Sequence, residues 1–292
     1  MAYAFQGAGA LDYFPCRYGS SQLLFRGPRR DLDQPHVCVI GGSETYGKFL
    51  PNPYPALLEE WLGLPVANLG CANAGPQVFA QDPDVIAVAN RADVVVVQIL
   101  GAESLSNRFF AVHPRRNDRF LGATPALRSL YREVDFTEFA FTRHLLTTLQ
   151  RIGPDRFALV VAELRQVWLR QMHDLLAQLT RPVVLLWVGD QAPMAATRMI
   201  DVAGNPALVD AEMLSMLRPR ADALVEVAIS PSARAAGLSG MVFSPLDQPI
   251  AKGLPGPDAH REVALALRPV LEPLIQMVLP EKENARQTGR AS

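Results

Sequence analysis

The sequence lacks the features that would place it in a membrane, a secreted or a nucleic-acid-binding class. No apolar run approaches the ~20 residues that a membrane helix needs. The amino terminus has no charged start followed by an apolar core, so no secretory signal is predicted. A net charge of −1 excludes a global field that would recruit nucleic acid or an anionic membrane.

Cysteine is also scarce. The three cysteines are odd in number and have no metal-ligand spacing, which favours free thiols in a reducing compartment. We therefore expect a cytoplasmic protein with no membrane span, no nucleic-acid partner, no metal and no cofactor.

What the sequence does contain is typical of one large globular domain: 292 residues, 49% of them apolar and 20% charged. Continuous β-branched runs predict strands that are buried on both faces, as in parallel sheets. These runs are Val37–Ile40, Val66–Leu69, Val94–Leu100, Val183–Val188 and Ala223–Ala228. Helical patterns alternate with them, so we predict an α/β fold: a three-layer α/β/α domain around a five-stranded, mostly parallel, flavodoxin-like sheet.

The helices are predicted from apolar spacing and from proline and aspartate at their ends. They are Tyr54–Leu62, Asp82–Asn90, Phe157–Leu179 and Arg261–Leu279, the last bent or interrupted by Pro269 and Pro273. The single domain is predicted over residues 1–280, with an arm at 1–34. An insertion of short helices at 111–156, after strand 3, is predicted to lie over the carboxyl edge of the sheet as a lid. Residues 281–292 are polar and predict a disordered tail.

The most informative stretch is His36–Gly47, where a short apolar run ends in Gly41-Gly42-Ser43. This pattern predicts a buried strand that turns sharply and presents Ser43 just before a helix. Open parallel sheets place their ligands at this edge. Ser43 is therefore a candidate nucleophile, although the same turn is also typical of a loop that binds phosphate or simply of a tight turn.

A nucleophilic serine needs a base, a group that orients the base, and donors for the oxyanion. Of the five histidines, His260 is the best candidate, because it follows a Gly/Pro-rich loop and precedes the last helix. Asp258 could orient its imidazole or, with equal weight, cap the helix. The amides of Ser43 and Gly70 could hold the oxyanion if both loops share one strand edge.

Taken together, the order of these blocks resembles the SGNH (GDSL-type) hydrolase superfamily. The match covers Gly41–Gly47, Asn68–Gly70, Gly101–Ser104 and Asp258–His260, over roughly residues 36–107 and 182–280. The resemblance implies an SGNH-type sheet and a catalytic set of Ser43, His260 and Asp258. The chain also looks like a little-studied bacterial domain family without assigned activity.

Three blocks depart from the SGNH pattern. Gly42 stands where the family has aspartate, Asp258 and His260 are one residue closer together, and Glu103 occupies the asparagine position. An ionised glutamate would repel a developing oxyanion. Either Glu103 points away and Asn107 or Asn73 supplies the donor, or hydrolysis of the usual type is weakened.

Arginines cluster in the arm and after the third strand. The second cluster includes Arg108, Arg115 and Arg116, whose guanidinium groups suit phosphate, sulfate or carboxylate. We expect the arm cluster to form salt bridges, and the second cluster either to do the same or to bind ligand together with Gly42 and Asn73.

The leading hypothesis is a serine esterase or acyltransferase that acts on O-acyl groups of a small molecule or carbohydrate, either neutral or anionic. The alternative is a non-catalytic protein of the same fold that binds an anionic sugar, phosphate or sulfate through its arginines. A scaffolding role has only the aromatic content of the insertion in its support.

Overall fold

The computed structural model of the chain describes residues 11–195 and 202–288, with side chains up to residue 278. Residues 1–10 of the predicted arm and residues 289–292 of the predicted tail lie outside this part. Within it, no helix is both long and apolar enough to cross a membrane. Its three cysteines are unpaired.

The strands are β1 (Val37–Gly41), β2 (Val66–Gly70), β3 (Val94–Gln98), β4 (Phe110–His113), β5 (Arg116–Ala123), β6 (Val183–Gly189) and β7 (Ala223–Ala228). Five of them form one sheet in the order β2-β1-β3-β6-β7, and every neighbouring pair is parallel. This is the flavodoxin-like order. The predicted α/β fold and all five predicted strands are confirmed.

Helices cover both faces of this sheet. They are α1 (Ser43–Tyr46), α2 (Tyr54–Leu62), α3 (Pro76–Ala80), α4 (Pro83–Arg91), α5 (Pro125–Leu130), α6 (Thr142–Ile152), α7 (Pro154–Ala177), α8 (Ala211–Leu217), α9 (Pro231–Ala236), α10 (Gln248–Ala251) and α11 (Pro257–Thr288). The Asp82 side chain caps α4 by accepting from the amides of Asp84 and Val85, as the Asp-Pro pair predicts.

Alternate residues of each strand face opposite layers. In β1, Cys38 and Ile40 pack into a core shared with α4 and α7, including the buried Trp168. Val37 and Val39 pack into a second core, which α2 and α11 complete. The three-layer arrangement follows from these two cores.

Two segments differ from the sequence prediction. The segment 111–156, predicted as short helices, contains an antiparallel hairpin, β4 with β5, besides its helices. Helix α11 runs without a break through Pro269 and Pro273 and continues to Thr288, inside the predicted tail. Leu267 and Leu271, on either side of Pro269, are both fully buried against the sheet, so packing holds the helix on both sides of that proline.

Candidate functional site

Ser43 lies at the carboxyl end of β1, where the chain turns into α1. The turn is tight because Gly41 leaves no room for a side chain: a Cβ atom there would lie 1.9 Å from Thr45 Oγ1 and 2.5 Å from Gln98 Oε1. The residue types that sequence analysis singled out therefore form the predicted strand-turn-helix.

Gln98, at the end of β3, fixes this turn. Its Oε1 accepts hydrogen bonds from the Gly42 amide (3.0 Å) and from Thr45 Oγ1 (2.6 Å). Its Nε2 donates to Glu44 Oε2 (2.8 Å), and Asn205 Nδ2 donates to Glu44 Oε1 (2.7 Å). Both carboxylate oxygens of Glu44 therefore have partners, and the turn is tied to two neighbouring loops.

The loop after β2 brings Asn73, rather than Gly70, to Ser43. The Asn73 amide lies 3.4 Å from Ser43 Oγ, and Asn73 has a left-handed backbone with φ of +59°. The Gly70 amide instead donates to Asn68 Oδ1 (2.9 Å). A Cβ atom at Gly70 would lie 2.3 Å from the Tyr46 nitrogen, so Gly70 packs beneath α1. In the loop after β2, the amide that contacts Ser43 Oγ is therefore that of Asn73 and not that of Gly70, which the sequence analysis had chosen.

Asn107, the other predicted oxyanion donor, is used within its own turn. Its Nδ2 donates to the Leu105 carbonyl (2.8 Å), and its Oδ1 accepts from the amides of Phe109 (2.8 Å) and Phe110 (3.3 Å). It does not line the cleft that contains Ser43.

That cleft has a volume of about 820 Å³ and lies at the carboxyl ends of the sheet strands. Gly42, Ser43, Gln98, Gly189 and Ile229 line it from the strand ends. β5 and the start of α6, both in the 111–156 segment, and the loops before α11 contribute further walls. The charged residues of the lining include Asp118, Arg143, Asp190, Arg234 and Lys252.

Glu103 also lines the cleft, and its Oε2 is buried without a hydrogen-bond partner among the described residues. Burial of its carboxyl raises the pKa of Glu103, which the nearby charge of Glu44 raises further. Its own backbone amide and Arg143 act in the opposite direction. Burial is thus the largest influence on this carboxyl.

His260 occupies the buried side of the last helix. Its Nδ1 accepts the Tyr54 amide (3.0 Å), and the two rings pack with centroids 5.8 Å apart. Burial, with a smaller contribution from Arg26, lowers the pKa of His260 to about 3. The imidazole is therefore neutral, with its proton on Nε2.

The predicted triad is not assembled in this arrangement. None of the five histidines, all of which lie in the described part of the chain, is among the residues that line the cleft. Asp258 is exposed in the first turn of α11. Residues two apart on a helix point to different faces, so Asp258 does not face the His260 ring.

The predicted ligand-binding arginines lie outside the cleft lining. Arg108 pairs with Glu163 (3.2 Å) and covers the Phe109 ring (4.6 Å). Arg115 and Arg116 are exposed at the turn between β4 and β5, where their amides donate to His113 Nδ1. The hairpin that carries Arg115 and Arg116 was not predicted from the sequence.

A family model described as a domain of unknown function, DUF6473, matches residues 1–275 of the sequence. The chain belongs to the DUF6473 family. A search of curated proteins gives no match.

Solved structures similar to this DUF6473 chain include a lipase, Lip_vut3, from a goat rumen metagenome. It has 14% sequence identity and a TM-score of 0.36, with 80% of this chain and 96% of the lipase covered. A carbohydrate esterase family 2 enzyme with a carbohydrate-binding domain, from Corynascus thermopiles (Myceliophthora fergusii), has 14% identity and a TM-score of 0.37. That match covers 87% of this chain and 69% of the enzyme. At these identities and TM-scores the likeness carries no inference about a substrate.

Sequence reasoning placed Ser43 and its glycines in the DUF6473 cleft but did not foresee the roles of Gln98, Arg143 and Lys252. Gln98 could have been noticed, because it is the only polar residue in the run Val94–Leu100. Arg143 and Lys252 follow no strand directly, and no local pattern distinguishes them. Among the described residues, no group of three or more His, Cys, Asp or Glu is arranged to hold a metal ion.

Because the pKa of His260 is lowered in the folded chain, we expect this residue to make the free energy of unfolding depend on pH. In the folded chain this pKa is about 3, whereas an unperturbed histidine titrates near pH ~6.5. The unfolded state therefore binds more protons between these values, so the contribution of His260 to stability is present above about pH 6.5 and is lost as the pH falls. Relative to a His260→Gln variant, the wild type should lose about 2 kcal/mol between pH 7 and pH 5.

Urea unfolding of both proteins at the two pH values measures this difference. The comparison with the variant cancels the titration of the carboxyls, including Glu103, whose raised pKa acts with the opposite sign. A stability difference that does not change with pH would show that His260 is as accessible to protons in the folded chain as in the unfolded one.

Proposed function

We propose that this protein is an ester hydrolase or acyltransferase in which Ser43 is the nucleophile. The observation that carries the proposal is the position of Ser43 on the floor of a large cleft, with the Asn73 amide 3.4 Å from its Oγ. A serine at the end of a parallel strand, whose oxygen accepts a long hydrogen bond from an amide of a neighbouring loop, suits the attack on an acyl carbon and the binding of the oxyanion that results.

In this proposal Ser43 Oγ attacks the carbonyl carbon of an ester. The amides of Asn73 and Ser43 donate to the oxyanion, in place of the Gly70 amide, whose hydrogen bond goes to Asn68. The network around Gln98 holds the turn in one position, so little reorganisation is needed when charge develops. Collapse of the intermediate expels the alcohol and leaves an acyl-Ser43 ester, which water or a second alcohol then cleaves.

The substrate class follows from the lining of the cleft. Its volume of about 820 Å³ is within the range of small-molecule sites. Carboxyl, amide and cationic side chains share its walls with glycine, alanine and larger apolar residues such as Ile99, Leu100 and Phe141. Such a mixed surface suits a polar molecule rich in hydroxyl groups that carries an acyl group, and we propose an O-acylated carbohydrate.

A second candidate function is a non-catalytic site for an anionic sugar, phosphate or sulfate. The absence of every histidine from the cleft lining favours it. The cations would be Arg143 and Lys252, which line the cleft and form no ion pair with a described carboxylate, rather than Arg108, Arg115 and Arg116. Arg234 is less available, because it donates to the carbonyls of Asp190 and Ile229.

Labelling with a fluorophosphonate probe separates the two functions. A nucleophilic Ser43 becomes phosphonylated, peptide mapping finds the label on the peptide that carries residue 43, and Ser43→Ala removes the label. Folded wild-type protein that stays unlabelled would contradict the esterase proposal. Thermal shifts with phosphate or sulfate that are equal in the wild type and Ser43→Ala, without labelling, would support the binding function.

A further inference from the structure

We propose that the Glu103 carboxylate is the general base for Ser43, in the role that sequence analysis gave to His260. This inference rests on the proposed function, since it identifies the group that takes the proton of the nucleophile. It also gives a role to the residue that departs most clearly from the SGNH pattern.

Glu103 follows the end of β3, two residues after Gly101, and it lines the same cleft as Ser43. Its carboxyl lies directly against Gly101, where a Cβ atom would be 2.0 Å from Oε2. Glycine at 101 therefore makes room for the carboxyl at this place.

One oxygen of the Glu103 carboxyl has no hydrogen-bond partner. Buried polar atoms nearly always have one, and an atom that has none calls for an explanation. Glu103 Oε2 is buried without a partner among the described residues, and the residue itself lines the cleft. A carboxyl that exchanges a proton with a substrate needs an oxygen that is not already engaged.

Two charged residues act on the Glu103 carboxyl. Glu44 of α1 raises its pKa, as burial does, and Arg143 of α6 lowers it. A base is more effective when its pKa lies closer to the working pH. Burial shifts the pKa of Glu103 in that direction, while Arg143 favours its ionised form.

The other ionisable groups are less suitable. The Nδ1 atom of His260 accepts the Tyr54 amide, and both oxygens of Glu44 accept amide donors. Asp190 is exposed. Asp118 is the closest competitor, because it also lines the cleft with a buried, unpartnered Oδ1 and a raised pKa.

The step balances without a further reactant. As Ser43 Oγ bonds to the acyl carbon, its proton passes to the Glu103 carboxylate and the carbonyl π electrons move to the oxyanion. The carbon–oxygen bond to the leaving alcohol then breaks, and Glu103 returns the proton to that oxygen. In the second half, water loses its proton to Glu103 and cleaves the acyl-serine bond, and the proton restores the Ser43 hydroxyl.

The test measures the rate of Ser43 phosphonylation by a fluorophosphonate, in which fluoride leaves and the same proton must be removed. Glu103→Gln keeps the size of the side chain and should slow the reaction by at least ~100-fold, the usual contribution of a general base. The matched comparison is Asp118→Asn, which neutralises the other unpartnered carboxyl of the cleft. If Glu103 is the base, this variant should lose far less rate than Glu103→Gln does.

A pH profile supplies a second readout that a merely structural role would not move. The wild-type rate should rise with pH as Glu103 ionises. In Arg143→Gln the rise should shift to higher pH, because a guanidinium that favours the carboxylate is gone. The pH profile of Arg143→Gln also tests the role of Glu103 if Glu103→Gln fails to fold.

The role of Glu103 would be overturned by any one of three results. These are a wild-type rate in Glu103→Gln, a loss of rate in Asp118→Asn instead, and a pH profile of Arg143→Gln that is not shifted. With Ser43 still labelled in the wild type, the proposed function would survive any of these results. If the wild type itself is not labelled, the proposed function fails and the role of Glu103 fails with it.

Discussion

Alanine at position 70 is expected to lower the free energy of unfolding by about 3 kcal/mol, at the upper end of the usual cost of overpacking. The added Cβ atom would lie 2.3 Å from the Tyr46 nitrogen and 2.7 Å from the Thr45 carbonyl carbon. Both are backbone atoms of α1, so no side chain can rotate to make room. The helix that begins at Ser43 would have to move away from β2.

The measurement is urea unfolding of Gly70→Ala beside a matched glycine variant. Gly122→Ala is suitable, because no atom lies within 4 Å of a Cβ atom at that position. The control should stay within about 0.5 kcal/mol of the wild type. Equal stabilities of the two variants would show that the contact between β2 and α1 is looser than the structure has it.

Replacing Arg26 with methionine should cost about 4 kcal/mol, because it removes a buried cation that holds a whole loop. Arg26 Nη2 donates to the carbonyls of Leu50 (2.6 Å) and Pro51 (2.9 Å), and Nη1 donates to those of Tyr46 and Gly47. Each buried carbonyl left without a donor costs about 1–3 kcal/mol, less where water reaches it. Methionine fills part of the space but donates nothing.

The control for this variant is Arg268→Met. Arg268 lies on the exposed side of α11, with only Glu272 one turn away as its partner, so its loss should cost less than about 0.5 kcal/mol. Thermal or urea unfolding compares the two. Similar losses in both variants would mean that the carbonyls of residues 46–51 find water when Arg26 is absent.

The arginines of the arm show which contacts could be predicted from the sequence and which could not. The arm arginines were expected to tie the arm to the domain by salt bridges, and Arg30 does so with Glu59 (2.6 Å). Arg26 ties it instead to four backbone carbonyls, which have no sequence signature. The sequence shows that a residue is charged, but it does not show whether the partner of that charge is a side chain or the backbone.

The sheet could be predicted because β-branched runs buried on both faces leave few alternatives. Val94–Val97 illustrates this, with four consecutive valines all buried. The hairpin of β4 and β5 could not be predicted in this way. Its two strands lie on either side of Pro114, contain both exposed and buried residues, and carry several charges. Its register is irregular as well, and a buried-exposed alternation is confined to the four residues of β4, too few to predict a strand.

The sequence allowed us to predict which loops meet at the candidate site, but not which of their side chains point into it. Ser43 reaches the cleft because strand ends meet at one edge, which the topology dictates. On α11, by contrast, Ala259 lines the cleft while His260, the next residue, packs against Tyr54. A single step along a helix turns a side chain by ~100°, which is finer than any spacing argument resolves.

The lining of the cleft comes from loops that are far apart in the sequence, from residue 42 to residue 259. No short fragment of the chain therefore contains the whole lining, and under the proposed function activity on heating should disappear together with the cooperative unfolding of the domain. Conversely, the sheet fixes where each strand ends, so an exchange confined to one loop should alter the wall of the cleft without disturbing the framework.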